Sequence, residues 1–204
     1  MSSSSPASSR SPAPVRLREL RPADRAPLDA LLRATGSFPE NELAVAMELI
    51  DEGLAKATAG ATLTADDYRF LVAELPESGA APRVIGYVCW GQNPMSDCVF
   101  DLYWIAVDPR AQGGGAGRAL MAAAEAEARA RGGRMVLVET GGKASYAPTR
   151  RFYERIGYVE IARLPDYFRV GDDKVIYARR LDGRPLPPSR EPPRTDSPDA
   201  GPRS

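Results

Sequence analysis

The spacing of apolar positions changes period block by block along this chain. VRLREL (15–20) reads as a short strand. Pro22 and Asp24 then open a helix around Leu28, Leu31 and Leu32. In NELAVAMELIDEGLAK, Leu43, Met47, Ile50 and Leu54 recur at helical spacing, which predicts a second helix. DYRFLVAEL (67–75) and RVIGYVCWG (83–91) read as antiparallel strands joined by a Pro/Gly loop. CVFDLYWIAVDP (98–109) is a third strand, entered through the turn-rich GQNPMSD.

RAQGGGAGRAL (110–120) comes next, with four glycines within five positions, and it runs into RALMAAAEAEARARGG. That segment predicts a helix. Glu125 with Arg129 and Glu127 with Arg131 stand at i,i+4 spacing, and Gly132 and Gly133 end it. RMVLVET (134–140) is apolar with little alternation, so it is expected to be a central strand. APTRRFYERIGY predicts a short helix from Pro148 to a stop at Gly157, and VEIARL and DKVIYARRL are two closing strands. The sum is an α/β fold, a mixed sheet of about seven strands with helices on both faces.

The ends of the chain differ from this middle. Residues 1–14 are Ser, Pro and Ala with one Arg among them, and residues 183–204 are rich in Pro and charge. Neither stretch buries enough apolar surface to offset chain entropy, so both are expected to be disordered tails around one domain over 15–182. A Pro-rich recognition segment at 185–193 is the alternative for the second. No apolar run is long enough to span a membrane, and MSSSSPASSRSPAP lacks the apolar core of a signal peptide. With Cys89 and Cys98 the only cysteines, a cytoplasmic protein is expected. Lys+Arg and Asp+Glu are equal at 27 each, so nothing advertises a nucleic acid or an anionic membrane as partner.

The chain has no histidine. That removes the commonest general base, the His-activated nucleophiles and most zinc sites, so no metal is expected. Acid–base chemistry is left to carboxylates, tyrosine, cysteine, lysine or water.

The glycine cluster opening a helix is the main chemical signal. A helix N-terminus carries N–H groups without partners and about half a positive charge, which suits phosphate. Glycine lets backbone come close to a ligand and adopt positive φ. A P-loop needs a Lys that is missing, since Arg118 is followed by Ala119. The dinucleotide pattern G-x-G-x-x-G is met only in part: Gly113 and Gly115 fit and position 118 is Arg. Glu139 ends the following strand, where a ribose-binding acid would sit, so a dinucleotide fold stays open.

Gln112, Gly115 and Gly117 also match Q/R-x-x-G-x-G/A, and IAVDPRAQGGGAGRAL resembles the N-acetyltransferases of the GNAT superfamily, as does TRRFYERIGY further on. The resemblance covers about residues 15–181 and is weakest before 65. It implies a GNAT-type mixed, mostly antiparallel central sheet, and acetyl-CoA as co-substrate for transfer to a primary amine. In that family the strands flanking the glycine loop splay apart. The pantetheine arm would pair with backbone at Ile105, Ala106 and Val107, and the pyrophosphate would face the N–H groups of Gly113, Gly115, Ala116, Gly117 and Arg118.

The family's acid is a Tyr that maps to Tyr153, and one of its carboxylate bases maps to Asp101, with Glu139 on the opposite strand as competitor. Tyr146 stands where the family often has Asn, and Glu48 and Glu52 could line the acceptor side. Tyr167, Asp172 and Asp173 near a loop could help select a cation. The acceptor stays open: a small-molecule or protein amine. Pairing of the closing strands between two copies would give a homodimer. A non-catalytic acyl-CoA sensor of the same fold is the rival function.

Overall fold

The computed structural model describes residues 14–186. Of the expected tails, residues 1–13 and 187–204 lie outside this range, as does most of the Pro-rich 185–193. Seven strands form one sheet: β1 Arg16–Glu19, β2 Arg69–Leu75, β3 Arg83–Gln92, β4 Val99–Val107, β5 Met135–Gly141, β6 Val159–Arg169 and β7 Asp172–Arg180. Their order is β1-β2-β3-β4-β5-β7-β6. Neighbours are antiparallel except β4 and β5, which the helix crossover makes parallel.

Four helices cover the sheet: α1 Arg25–Thr35, α2 Glu40–Ala59, α3 Ala116–Ala130 and α4 Ala147–Arg155. A strand buried on both faces, β3, explains how two cores arise. In β3, Tyr87 and Cys89 point into a core shared with Leu28 and Leu32 of α1 and Ile50 of α2. Ile85, Val88 and Trp90 point into the opposite core, with Leu120, Met121 and Ala124 of α3. Both faces of β3 are therefore apolar, as a strand buried on two sides requires.

β5 is central, as RMVLVET suggests, but its two faces differ. Val136 and Val138 are buried under α3 and α4, whereas Leu137 is half-buried and Glu139 exposed. The core of α1 and α2 reaches β2, β3 and β4 and includes no residue of β5, β6 or β7. Helices thus lie on both faces of the first half of the sheet, and the second half has one face without a helix over it.

Two irregularities shape the centre. First, β4 carries a bulge: Trp90 pairs with Leu102 and Cys89 with Trp104, so Tyr103 is the extra residue. Second, β4 and β5 stay paired only from Val99–Met135 to Leu102–Val138. Beyond that point the two strands part, and the backbone of Ile105 to Val107 is left without a strand on its β5 side.

Candidate active site

The parting of β4 and β5 opens a cavity of about 890 Å³. One end is made of backbone. Asp108 caps a short turn at Pro109–Ala111 by accepting from the Arg110 N–H at 2.9 Å, and Arg83 fixes the same carboxylate at 2.9 Å. The chain then turns through Gly113 (φ 82°) and Gly115 (φ 85°), left-handed conformations that favour glycine. Gly115 is the N-cap of α3 and supplies no side chain to cap it. Gly114 N–H reaches Ala111 O at 3.3 Å, but the N–H groups of Gly113, Gly115, Ala116, Gly117 and Arg118 have no partner among the described residues. Unsatisfied donors at the positive end of a helix suit an anion.

Gly117 owes its identity to a different cause than expected. Its φ is not positive. A Cβ there would stand 3.3 Å from the Phe152 ring and 3.7 Å from Val107, so the absent side chain lets α3 sit close to α4. Arg118 is exposed at the cavity, and Arg155 of α4 faces the same space. Neither has an ion-pair partner among the described residues. Both also border a shallower depression of about 520 Å³ that holds Arg129 and Arg179.

Ile105, Ala106, Val107, Gln112, Gly113, Gly115, Ala116, Gly117 and Arg118 all line the cavity, together with Tyr153 and Glu139. Tyr153 sits on α4, whose position Arg150 fixes by donating to Gly141 O (2.7 Å) and Lys143 O (3.0 Å). The ring is 3% exposed and packs between Phe152, Tyr158 and Tyr177, with centroids 5.4 to 5.9 Å apart. Its hydroxyl has no hydrogen bond among the described residues. Burial pushes its pKa far above that of an ordinary phenol, so it stays protonated at neutral pH.

The two candidate bases are placed differently. Glu139, half exposed at the cavity wall, accepts from Lys174 at 2.6 Å. Asp101 sits among the paired residues of β4, opposite Leu137, and is not part of the cavity wall. Its carboxylate accepts from Asn93 Nδ2 at 2.7 Å. Burial raises its pKa, Asn93 opposes that, and the nearby Glu139 charge adds to it.

The other end of the cavity is made of side chains from segments distant in sequence. Phe38 and Trp104 stack at 5.3 Å. The Tyr146 hydroxyl donates to Ser37 O at 3.1 Å and ties the α1–α2 loop to the segment after β5. Asp172, 5% exposed, holds Lys143 at 3.2 Å. Glu42, in the first turn of α2, is half-buried at this end. The sequence pattern singles out Asp172 and Tyr146 but not Glu42 or Lys143. Glu48 and Glu52 do not border the cavity, and Glu52 pairs with Lys56 at 2.9 Å. Asp173 is engaged by Arg163 at 3.3 Å. No helix among the described residues is long and apolar enough to cross a membrane.

Residues 66–160 match the model of the acetyltransferase (GNAT) domain. No curated protein matches the sequence. Among solved structures, a Desulfovibrio desulfuricans protein described as an acetyltransferase of the GNAT family is 40% identical, over 82% of this chain and 99% of its own, with a TM-score of 0.71. The ribosomal-protein-S18-alanine N-acetyltransferase of Escherichia coli shares the fold at 20% identity, over 82% of this chain and 94% of its own, with a TM-score of 0.57. A Salmonella typhimurium protein, yncA, whose structure contains its cofactor acetyl-CoA, does so at 22% identity, over 85% and 97%, with a TM-score of 0.57. A glycine-opened helix beside two parting strands, the domain match and the 40% identical relative agree: the chain belongs to the GNAT family of acetyltransferases.

Proposed function

We propose that the protein transfers an acetyl group from acetyl-CoA to the primary amine of a small-molecule or protein acceptor, as a cytoplasmic enzyme. The observation that carries this reading is the set of free N–H groups from Gly113 to Arg118 beside the open backbone of Ile105 to Val107. A long ligand with an anionic centre and an amide-bearing arm suits both features at once. The arm's amides would add to β4 as a strand does, and the pyrophosphate would take the helix N-terminus. Arg118 and Arg155, both without a counter-ion among the described residues, fit a donor with further phosphate. Bound there, acetyl-CoA supplies an activated acyl group.

The chain's own residues then have two proton tasks. An alkyl ammonium, with a pKa of about 10, must lose a proton before its nitrogen can attack the thioester carbonyl. As the C–N bond forms and the C–S bond breaks, the departing sulfur gains negative charge. Tyr153, held protonated by burial, is suited to give that sulfur its proton. Glu139 in the wall is suited to take the amine's proton through water, and Asp101, outside the wall, is the second candidate. The two edges of the sheet differ as well. β6 has eleven residues and, among the described residues, no strand on its outer edge, which supports a homodimer through the closing strands.

The test is turnover of acetyl-CoA against a panel of primary amines, read as free thiol released and as acetylated product. Binding of acetyl-CoA with no product from any amine would favour a sensor instead.

A further inference from the structure

At the end of the cavity away from the glycines, charge is sorted in an unusual way. The Glu42 carboxylate makes no hydrogen bond and no ion pair among the described residues, although the residue is half-buried. Burial raises its pKa. The charges that act on it are Lys143, then Asp172, then Arg169, yet none of the cations comes within ion-pair distance. Tyr146 stands close enough to feel both Glu42 and Asp172.

Lys143, Arg169 and Asp172, which line the same end, have the reverse imbalance. Lys143 Nζ (3.2 Å) and Arg169 Nε (3.8 Å) share one oxygen of Asp172, Oδ2. The other oxygen, Oδ1, has no partner and is closed off from solvent beside Gly141. Two cations therefore lean on half of one carboxylate, and both line the cavity. Asp172 holds them in position, with its Oδ2 engaged by them and its Oδ1 closed off. The result is a lone anion and a surplus cation, with the apolar faces of Phe38, Trp104 and Phe168 in the same wall.

A polycation would meet Lys143 and Arg169 and be repelled. A simple amine would leave them without a counter-ion. We propose that this end of the cavity is an acceptor subsite for a small molecule that carries both an ammonium and a carboxylate, an α-amino acid with an apolar side chain. Glu42 receives the ammonium. Lys143 and Arg169 receive the carboxylate, and the side chain lies on the aromatic wall. The inference rests on the amine-acetylation reading for the chemistry after binding, but the subsite itself is testable by binding alone.

The probes are L-phenylalanine, L-phenylalaninamide and phenethylamine, which share ring and amine and differ in the carboxylate. Calorimetry on the full chain, with and without CoA, is expected to show L-phenylalanine binding about tenfold more tightly than the other two, as a charge-assisted contact implies. Arg169→Met, at an exposed residue whose loss leaves Lys143 on Asp172, is expected to bring that preference down towards one. Glu42→Gln is expected to weaken all three about equally. Equal or tighter binding of phenethylamine, or binding of none of the three, overturns the subsite. The amine-acetylation reading fails separately. If L-phenylalanine binds with the expected preference but no acetylated product forms and acetyl-CoA does not bind, the subsite stands and the transferase reading falls. If phenethylamine is acetylated as fast as L-phenylalanine, the reverse holds.

Discussion

The two ends of the cavity are built from different material. The donor end is backbone: free N–H groups at the start of α3 and the open edge of β4 after Leu102. The acceptor end is side chains brought together from residues 37–42, 143–146 and 168–172. Backbone geometry is set locally, by which residues permit positive φ or close approach, so a few consecutive letters encode it. A side-chain cluster exists only once the sheet has brought its segments together. The donor end should therefore be common to proteins sharing the motif, and the acceptor end particular to this chain.

Substitutions should separate the two ends. The largest effect is expected between them, at Tyr153. Tyr153→Phe keeps the ring and its packing, so turnover should fall on the order of 10²-fold while acetyl-CoA affinity and melting temperature hold. Steady-state kinetics beside calorimetry makes the comparison, and parental turnover would remove Tyr153 as the acid.

Gly117→Val acts on the donor end alone. Its side chain would press on Phe152 and Val107, and overpacking of this kind costs about 1–3 kcal/mol. Donor affinity should weaken by about tenfold, beside a loss in thermal stability of similar size. Unchanged affinity in a folded variant would make Gly117 a packing residue only.

Glu139→Gln should lower turnover about tenfold at neutral pH and recover at higher pH, where free amine is more abundant and water can take over in part. Asp101→Asn, outside the cavity wall, should show the same pattern more weakly. A pH–rate profile in which Asp101→Asn is the more impaired of the two would reverse the assignment of the base.

The smallest effect is at the acceptor end. Burial raises the native pKa of Glu42 above its unfolded value. Its contribution to stability is therefore fully present below the unfolded pKa and is lost as pH rises through the native one. Glu42→Gln should raise the melting temperature slightly at neutral pH, and the gain should fade on acidification. Melts at the two pH values check this. A destabilised variant would mean that Glu42 serves the fold rather than the site.

Much of the fold was legible because it is periodic. Leu43, Ile50 and Leu54 recur at the helical interval and are buried together. The strand at residues 134–140 reads as central and is flanked by β4 and β7. The positive φ of Gly113 and Gly115 at the start of α3 was legible for the local reason above, whereas the packing of Gly117 on Phe152 was not. The faces of β4 show where counting along a strand fails. The bulge at Tyr103 breaks the two-residue alternation, so Phe100 and Leu102 share a face with Ile105 and Val107 rather than with Trp104 and Ala106. No single-residue signal in DLYWIAV announces that shift. Glu42 was illegible for another reason: in sequence it is one of several acids on a helix, like Glu48 and Glu52. Only the short link from Thr35 to Glu40, which sets the start of α2 at the cavity, distinguishes it.

The central proposal is that the free N–H groups from Gly113 to Arg118 and the open edge of β4 together receive acetyl-CoA. Calorimetry of the full chain with acetyl-CoA and with NADH tests it most directly. Saturable binding of acetyl-CoA, weakened in Gly117→Val, with no binding of NADH, is the expected result. Binding of NADH without acetyl-CoA would contradict it and turn the glycine loop into a dinucleotide site.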